Sequence, residues 1–302
     1  MKNSERIKGI DVFVATADAG SFTAAAERLN LTGSAVGKGV ARLEGRLGKR
    51  LFDRTTRSLS LTDAGSAFYR ICVRVLDELE AAEKVLAAEV LEPAGRLRID
   101  LPVTFGQHQA MPLVLQFAQQ HPAVQTHVSF TDRFVDILDE GIDIAVRIGG
   151  ADVWPASLGH TDLGREQLVF CAAPQYLQQR GTPLTPDDLA QHDVVMYRRA
   201  EGSPSPWLIA SADGTVERRL FDARLAVGNG EAQLAAVVAG CGIAQMATWL
   251  AGEPLRNGKL VQILPDRTTD GLPLNLVWPQ SKRLLPKVDA LIAYLTRHLT
   301  IR

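Results

Sequence analysis

The sequence predicts an α/β protein in three parts: an N-terminal winged helix-turn-helix, a long linker helix and a C-terminal two-lobed α/β module. Three observations carry this. The chain has 302 residues, enough for roughly two domains at about 150 residues each. Charge divides along it: residues 1–62 hold eleven Lys+Arg against six Asp+Glu, a net +5, and the remainder holds 22 against 28, a net −6. Hydrophobic spacing is the third. It is largely helical up to Pro93, and beyond Gly95 strand-like runs alternate with helical ones. The expected boundaries are 1–62, 63–93 and 94–302.

Composition excludes several classes. With 46% hydrophobic and 22% charged residues, the chain is too apolar to be disordered. Three widely spaced cysteines, Cys72, Cys171 and Cys241, argue against a disulfide scaffold or a cysteine zinc site. No apolar run approaches the ~20 residues that span a bilayer, and the charged N-terminus is a poor signal peptide. The expectation is a cytoplasmic protein with no membrane partner.

The basic head reads as three helices and a wing. Ile7, Ile10, Val14 and Ala17, with Phe13 beside them, recur at helical spacing. Ser21 is placed to N-cap a second helix from Phe22 to about Asn30, which buries Phe22, Ala25, Ala26 and Leu29. Thr32 is the next N-cap. The third helix sets Val36, Val40, Leu43 and Leu47 on one face, and Ser34, Gly37, Lys38, Ala41 and Gly45 on the other, with Arg42 at the edge. Small side chains let a helix approach a major groove closely, and Lys or Arg meets phosphate or a guanine edge there. A β-hairpin through Leu59-Ser60-Leu61 would carry Arg54 and Arg57 at its tip. Thr62 can cap a new helix.

From Asp63 to about Glu92 the only Gly is Gly65 and Pro is absent. Phe68, Cys72, Val75, Leu79, Ala82 and Leu86 are spaced 4-3-4-3-4, a heptad seam. An isolated helix cannot bury such a stripe, so the seam predicts self-association, with packing against the second domain as the alternative. After the Pro93-Ala-Gly95 hinge, strands are expected at 96–103, 124–130 and 142–148, and helices at 111–120 and 134–140. A second lobe comes next, with strands at 167–173, 193–197, 220–227 and 243–246 and a helix at 231–239. A strand at 274–278 and a helix at 287–299 close the chain. Strand–helix–strand alternation predicts a mainly parallel sheet, with ligands at the carboxyl ends of the strands.

Catalytic and metal signatures are absent from the sequence. Six histidines include no H-E-x-x-H, and there is no G-x-S-x-G elbow. Gly33–Gly39 fails as a phosphate loop in glycine spacing, in lacking Ser or Thr after its lysine, and in lacking a preceding strand. No catalytic residue, metal site or cofactor is expected. Trp154, Trp207, Trp249 and Trp278 read as core or lobe-surface residues. Two rival readings are a solute-binding protein whose head only oligomerises, and an α/β enzyme.

GSFTAAAERLNLTGSAVGKGVARLEGRLGKRLFDRTTRSLSLTDAG, residues 20–65, resembles the winged helix-turn-helix of LysR-type transcriptional regulators over its whole length. The resemblance implies a third helix in the major groove and a wing on the backbone. It carries DNA contact to Thr32, Gly33, Ser34, Gly37, Lys38, Arg42, Arg54 and Arg57. The family usually has polar residues where this chain has Gly33 and Gly37. That departure shifts base readout toward Ser34, Lys38, the wing or DNA shape.

GIDIAVRIG (141–149), CAAPQYL (171–177) and VVAGCGIAQM (237–246) are similar to the effector domain of the same family, which is periplasmic-binding-protein-like. The resemblance implies one lobe of about 94–163 plus 268–302 and another of about 164–267. A small effector, expected to be anionic, would lie between them. Thr104, Phe105, Gly106 and Gln107, at a helix start, offer a hydroxyl and N–H groups to a carboxylate. Thr131, Arg147 and Gly149 end the next strands, and Tyr197, Asn229, Gly230, Ile243 and Ala244 face them. Arg147 pairs either with the effector or with Asp132 or Asp136. Expected partners are double-stranded operator DNA, the effector, and a second copy in a homodimer through the linker helix, or in a homotetramer. RNA polymerase is a further partner that the resemblance admits.

Overall fold

The computed structural model describes residues 9–54, 59–87, 92–151, 153–199, 202–211 and 214–301. It divides into two compact units, Met1–Leu91 and Glu92–Arg302.

The first unit holds α1 (Ile10–Ala19), α2 (Phe22–Leu29), α3 (Gly33–Leu47), β1 (Phe52–Arg54), β2 (Leu59–Leu61) and α4 (Asp63–Ala87). Its helices start at the predicted caps. Ser21 accepts from Ala24 N at 3.5 Å, Thr32 from Ala35 N at 3.2 Å, and Thr62 from Gly65 N at 2.9 Å; each satisfies a donor with no partner inside its own helix. The β1–β2 hairpin is antiparallel, with Arg54 opposite Leu59. The predicted tip residue Arg57 lies outside the described residues, and of Arg54 only the backbone is described. Glu44 of α3 accepts from Leu51 N at 2.8 Å and Phe52 N at 3.3 Å, which ties the base of the wing to that helix.

Packing corrects two details. The buried face of α1 is Ile10, Val12, Phe13, Ala15 and Thr16, with Val14 and Ala17 half-buried. Thr16 enters the core because its hydroxyl donates to the Val12 carbonyl at 2.7 Å. Leu47 of α3 is 39% exposed rather than part of that helix's buried face. The linker seam is also divided. Cys72 is buried in the head core, and Phe68, Tyr69 and Leu76 pack against that core, whereas Leu79 is 44% and Ile71 49% exposed. The head therefore takes the first two seam positions for itself. Ala82 and Leu86 lie outside the described side chains. Burial pushes the Cys72 thiol up to about 11, against a smaller opposing pull from Arg46, so it remains an unreactive thiol near neutral pH.

The second unit contains a sheet of seven described strands in the order β11-β6-β13-β5-β3-β4, with β12 also on β6. These are β3 (Gly95–Leu101), β4 (Val124–Phe130), β5 (Ile144–Ile148), β6 (Leu158–Ala172), β11 (Ala244–Ala247), β12 (Val261–Ile263) and β13 (Thr269–Pro279). Only β3–β4 and β3–β5 are parallel; β13 is antiparallel to β5 and β6, and β11 and β12 are antiparallel to β6. The expectation of a mainly parallel sheet is therefore wrong. The reason is topological: β6 and β13 are long strands lying side by side and serving both lobes.

In one lobe, Leu97, Ile99, Leu101, Ile144, Val146, Leu274 and Leu276 pack with Val114 and Phe117 of α6 (Met111–Gln120) and Val288, Leu291 and Leu295 of α10 (Pro286–His298). In the other, Phe170, Tyr176, Met196, Trp207 and Ile243 form one cluster. Val169, Cys171, Val195, Val237, Ala244 and Ala251 form a second, joined by α8 (Gly230–Val238) and α9 (Thr248–Arg256). A parallel pair of short strands, β7 (Val195–Tyr197) and β10 (Leu225–Val227), and the hairpin of β8 (Trp207–Ala210) with β9 (Val216–Arg219) complete that lobe. The helix α7 (Pro174–Arg180) comes directly after β6. The expected helix over 134–140 is instead a turn. Asp136 accepts from Leu138 N at 2.8 Å and Asp139 N at 3.2 Å, and its carbonyl takes Glu140 N at 3.0 Å, so it caps a single turn, which Gly141 ends with a φ of +69°.

Candidate DNA face and effector cleft

The outer face of α3 is open. Thr32, Gly33, Ser34, Lys38, Ala41, Arg42 and Gly45 are exposed, and Gly37 is half-buried. A Cβ added at Gly33, Gly37 or Gly45 would meet nothing within 4 Å. Their smallness is therefore not demanded by packing within the head. Gly39 differs: a Cβ there would stand 3.2 Å from Val12 Cγ1, so this glycine lets α1 and α3 approach. Arg42 donates to the Lys38 carbonyl at 3.3 Å, holding its stem along the helix beside the open row.

In the second unit, the chain leaves β3 into α5 (Val103–Phe105), a π turn over Gly106–Ala110, and then α6. The π turn has a sequence cause. Pro112 has no N–H to give the His108 carbonyl, and Met111 N donates back to Gly106 O instead. Gly106 is a packing glycine: a Cβ there would lie 2.6 Å from Leu101 Cβ, and its N–H is already spent on Pro102 O at 2.7 Å.

Thr104 is 5% exposed, and its Oγ1 is one of three buried side-chain polar atoms without a partner among the described residues; the others are Arg147 Nη2 and Trp278 Nε1. An unmade bond of this kind costs about 1–3 kcal/mol. Across from it sits Gly230, whose Cβ, if present, would be 3.2 Å from that oxygen. Asn229 caps α8 by accepting from Ala232 N at 3.1 Å. His108 Nε2 meets Glu231 Oε1 at 2.6 Å, both side chains about half exposed. Phe105 packs edge-on against Trp249, ring centres 5.2 Å apart. Trp249 Nε1 donates to Glu166 of β6 at 3.0 Å, and Leu272 N of β13 to the same carboxylate at 3.3 Å. Burial pushes the Glu166 carboxyl up, and the two donors only partly offset it.

The structure thus brings Thr104 to Gly230, with Asn229 setting the start of α8 and Gln107 exposed on the π turn. The other predicted residues already have neighbours of their own. Phe105, Ile243 and Ala244 are core residues; Ile243 N and O are both bonded, to Asp193 O and Val195 N, and Ala244 lies in the β11–β6 pairing. Arg147 is 5% exposed and pairs with Asp100 at 2.5 Å, a partner that was not among those expected. Gly149 gives its N–H to Pro273 O at 2.7 Å and accepts from Asn275 Nδ2 at 3.0 Å. Thr131 Oγ1 accepts from Arg133 N at 3.1 Å. Tyr197 is half-buried, with its carbonyl accepting from Ser205 N at 2.8 Å. His108, Glu166 and Glu231 went unread in the sequence because each partner is distant in it, and Trp249 was read only as a core or lobe-surface residue; Pro112 alone hinted at the irregular turn.

Comparison with known proteins agrees with both halves. Residues 7–66 match the family described as bacterial regulatory helix-turn-helix protein, lysR family, and residues 91–300 match the LysR substrate binding domain. The chain is 31% identical over 287 residues to an uncharacterized HTH-type transcriptional regulator of Haemophilus influenzae, covering 95% of this chain and 98% of the relative. It is likewise 31% identical over 298 residues to the HTH-type transcriptional regulator CrgA of Neisseria meningitidis, covering 98% and 97%. The solved structure of Neisseria meningitidis CrgA, a LysR-type transcriptional regulator, superposes with a TM-score of 0.62 at 30% identity over 99% of both chains.

Proposed function

The chain belongs to the LysR family of transcriptional regulators, and from that premise we propose that it binds operator DNA through α3 and the wing and answers to a small anionic effector held between its two α/β lobes. The observation that carries the DNA half is the open, small-and-basic face of α3. Thr32, Gly33, Ser34, Gly37, Lys38 and Arg42 meet the groove, and Arg54 and Arg57 reach the backbone from the wing. The unpartnered Thr104 hydroxyl under Gly230 supports the cleft. Gln107, Asn229 and Gly230 surround it, and the lobes are read as about 94–163 plus 268–302 and about 164–267. Effector binding favours one lobe arrangement over another, and only that differential affinity can change the set of the DNA heads. Polymerase access then depends on DNA bending.

Electrophoretic retardation of promoter-sized duplex by the full chain tests this reading. Retention at low salt is expected, and none would contradict it. Replacing Gly37 by alanine separates stability from binding. A helix-interior Gly→Ala change in open space stabilises the head by about 1 kcal/mol, while the added methyl holds the helix off the duplex. A higher melting temperature with weaker DNA retention is the expected pair of results.

The self-association half rests on Leu79, an exposed leucine on the predicted seam of α4. Leu79→Asp is expected to weaken the homodimer at least tenfold, about 1.4 kcal/mol. Sedimentation equilibrium of the variant against the wild type measures that, and also distinguishes a tetramer.

A further inference from the structure

We infer that Glu231 is a built-in competitor for the effector: its carboxylate occupies the position at His108 that the effector's own carboxylate must take. The inference rests on the effector-cleft reading and deepens it. Three observations converge on the first turn of α8. Glu231 lies on that turn and meets His108 Nε2 at 2.6 Å. Gly230, immediately before it, roofs the Thr104 hydroxyl, which is buried and without a partner. His108 and Thr104 share one helical segment, displaced by the π turn that Pro112 imposes. A single movement of the start of α8 would therefore free a histidine donor and a threonine hydroxyl together. Both lie against the first two residues of α8, Thr104 at Gly230 and His108 at Glu231.

The ligand chemistry is set by the group already seated there. That group, on His108, is a carboxylate, so the incoming group is a carboxylate of similar size and charge. The adjacent hydroxyl can donate to a second oxygen of the same ligand. The pair is about half exposed on each side, and ion pairs of that exposure are weak. A weak latch suits this role, since a ligand at modest concentration can replace it.

Hydrogen–deuterium exchange of the full-length chain tests the proposal, tracking peptides that cover 103–110 and 229–234. His108→Ala and Glu231→Ala should each raise exchange in both segments by roughly fivefold, the scale that a half-exposed pair supports. The double variant should match either single one. Acetate, compared with chloride at equal ionic strength, should raise exchange at 229–234 in the wild type and leave His108→Ala unchanged. Unchanged exchange in the single variants, additive effects in the double variant, or an acetate effect that persists without His108 would overturn the competitor role. The regulator reading stands or falls separately, on duplex retention by the wild-type chain.

Discussion

Gly65→Ala is expected to abolish DNA retention while leaving the second unit folded. Gly65 lies in the first turn of α4, against the strand that enters the wing. A Cβ there would overlap the Leu51 carbonyl oxygen and stand 2.9 Å from the Leu51 carbonyl carbon. Backbone cannot swing aside as the end of a flexible side chain can. That same oxygen accepts from Thr62 N at 3.0 Å, and Leu51 N is held by Glu44 of α3. Moving Leu51 therefore disturbs the wing, the cap of α4 and the anchor of α3 together. Overpacking alone costs about 1–3 kcal/mol, and broken backbone bonds add to it. The predicted loss is roughly 3 kcal/mol or more. Differential scanning calorimetry should show the head's transition lowered or gone and the second unit's transition in place. A variant with unchanged retention would mean that Leu51 moves freely, contrary to the two hydrogen bonds that hold its backbone.

Arg147→Met carries the second large effect, and it falls on stability. Asp100 is 2% exposed; one carboxylate oxygen accepts from Arg147 Nη1 at 2.5 Å and the other from Ser129 Oγ at 2.6 Å. Removing the guanidinium leaves a buried carboxylate with one neutral donor. Breaking a buried pair from one side costs about 3–5 kcal/mol. For a unit of this size each kcal/mol is about 2–4 °C, so its melting temperature should fall by about 10 °C. The double variant Asp100→Leu with Arg147→Met should recover most of that, because paired removal leaves no uncompensated charge. A residue serving mainly as an effector ligand would behave in the opposite way, with stability unchanged and ligand response lost. Thermal melts of the three variants distinguish these outcomes.

Legibility in the sequence was local. Ser21, Thr32 and Thr62 cap their helices because a side-chain oxygen needs only a donor three residues on. The exposed face of α3 was readable from spacing alone, since helical period decides which residues face out. Errors began where tertiary packing overrode a local pattern. Thr16 is a polar residue type, yet it enters the core by bonding its own helix. Residues 134–140 scanned as a helix, yet Asp136 caps only one turn and Gly141, in the left-handed region, ends it. Sheet polarity depended on β6 and β13 pairing across about a hundred residues, which no window contains. The cleft was the hardest case. Thr104 was visible as a hydroxyl at a helix start, but its neighbour Gly230 and the pair His108–Glu231 join segments over a hundred residues apart, and Arg147 meets Asp100 only because β5 pairs with β3. One clue was available and unused: a proline at position 112, four residues after His108, has no N–H to close the helical ladder there.

On the proposed reading, α3 and the wing form an electrostatic seat on duplex DNA. The salt dependence of duplex binding by the full chain tests it most directly, with Lys38→Ala and Arg57→Ala measured beside the wild type. Each phosphate contact contributes about −0.9 to the slope of log K against log salt. Each variant should therefore bind more weakly and show a slope shallower by about one unit, with the two losses adding. Slopes identical to that of the wild type in both variants would place the duplex on another surface and contradict the account.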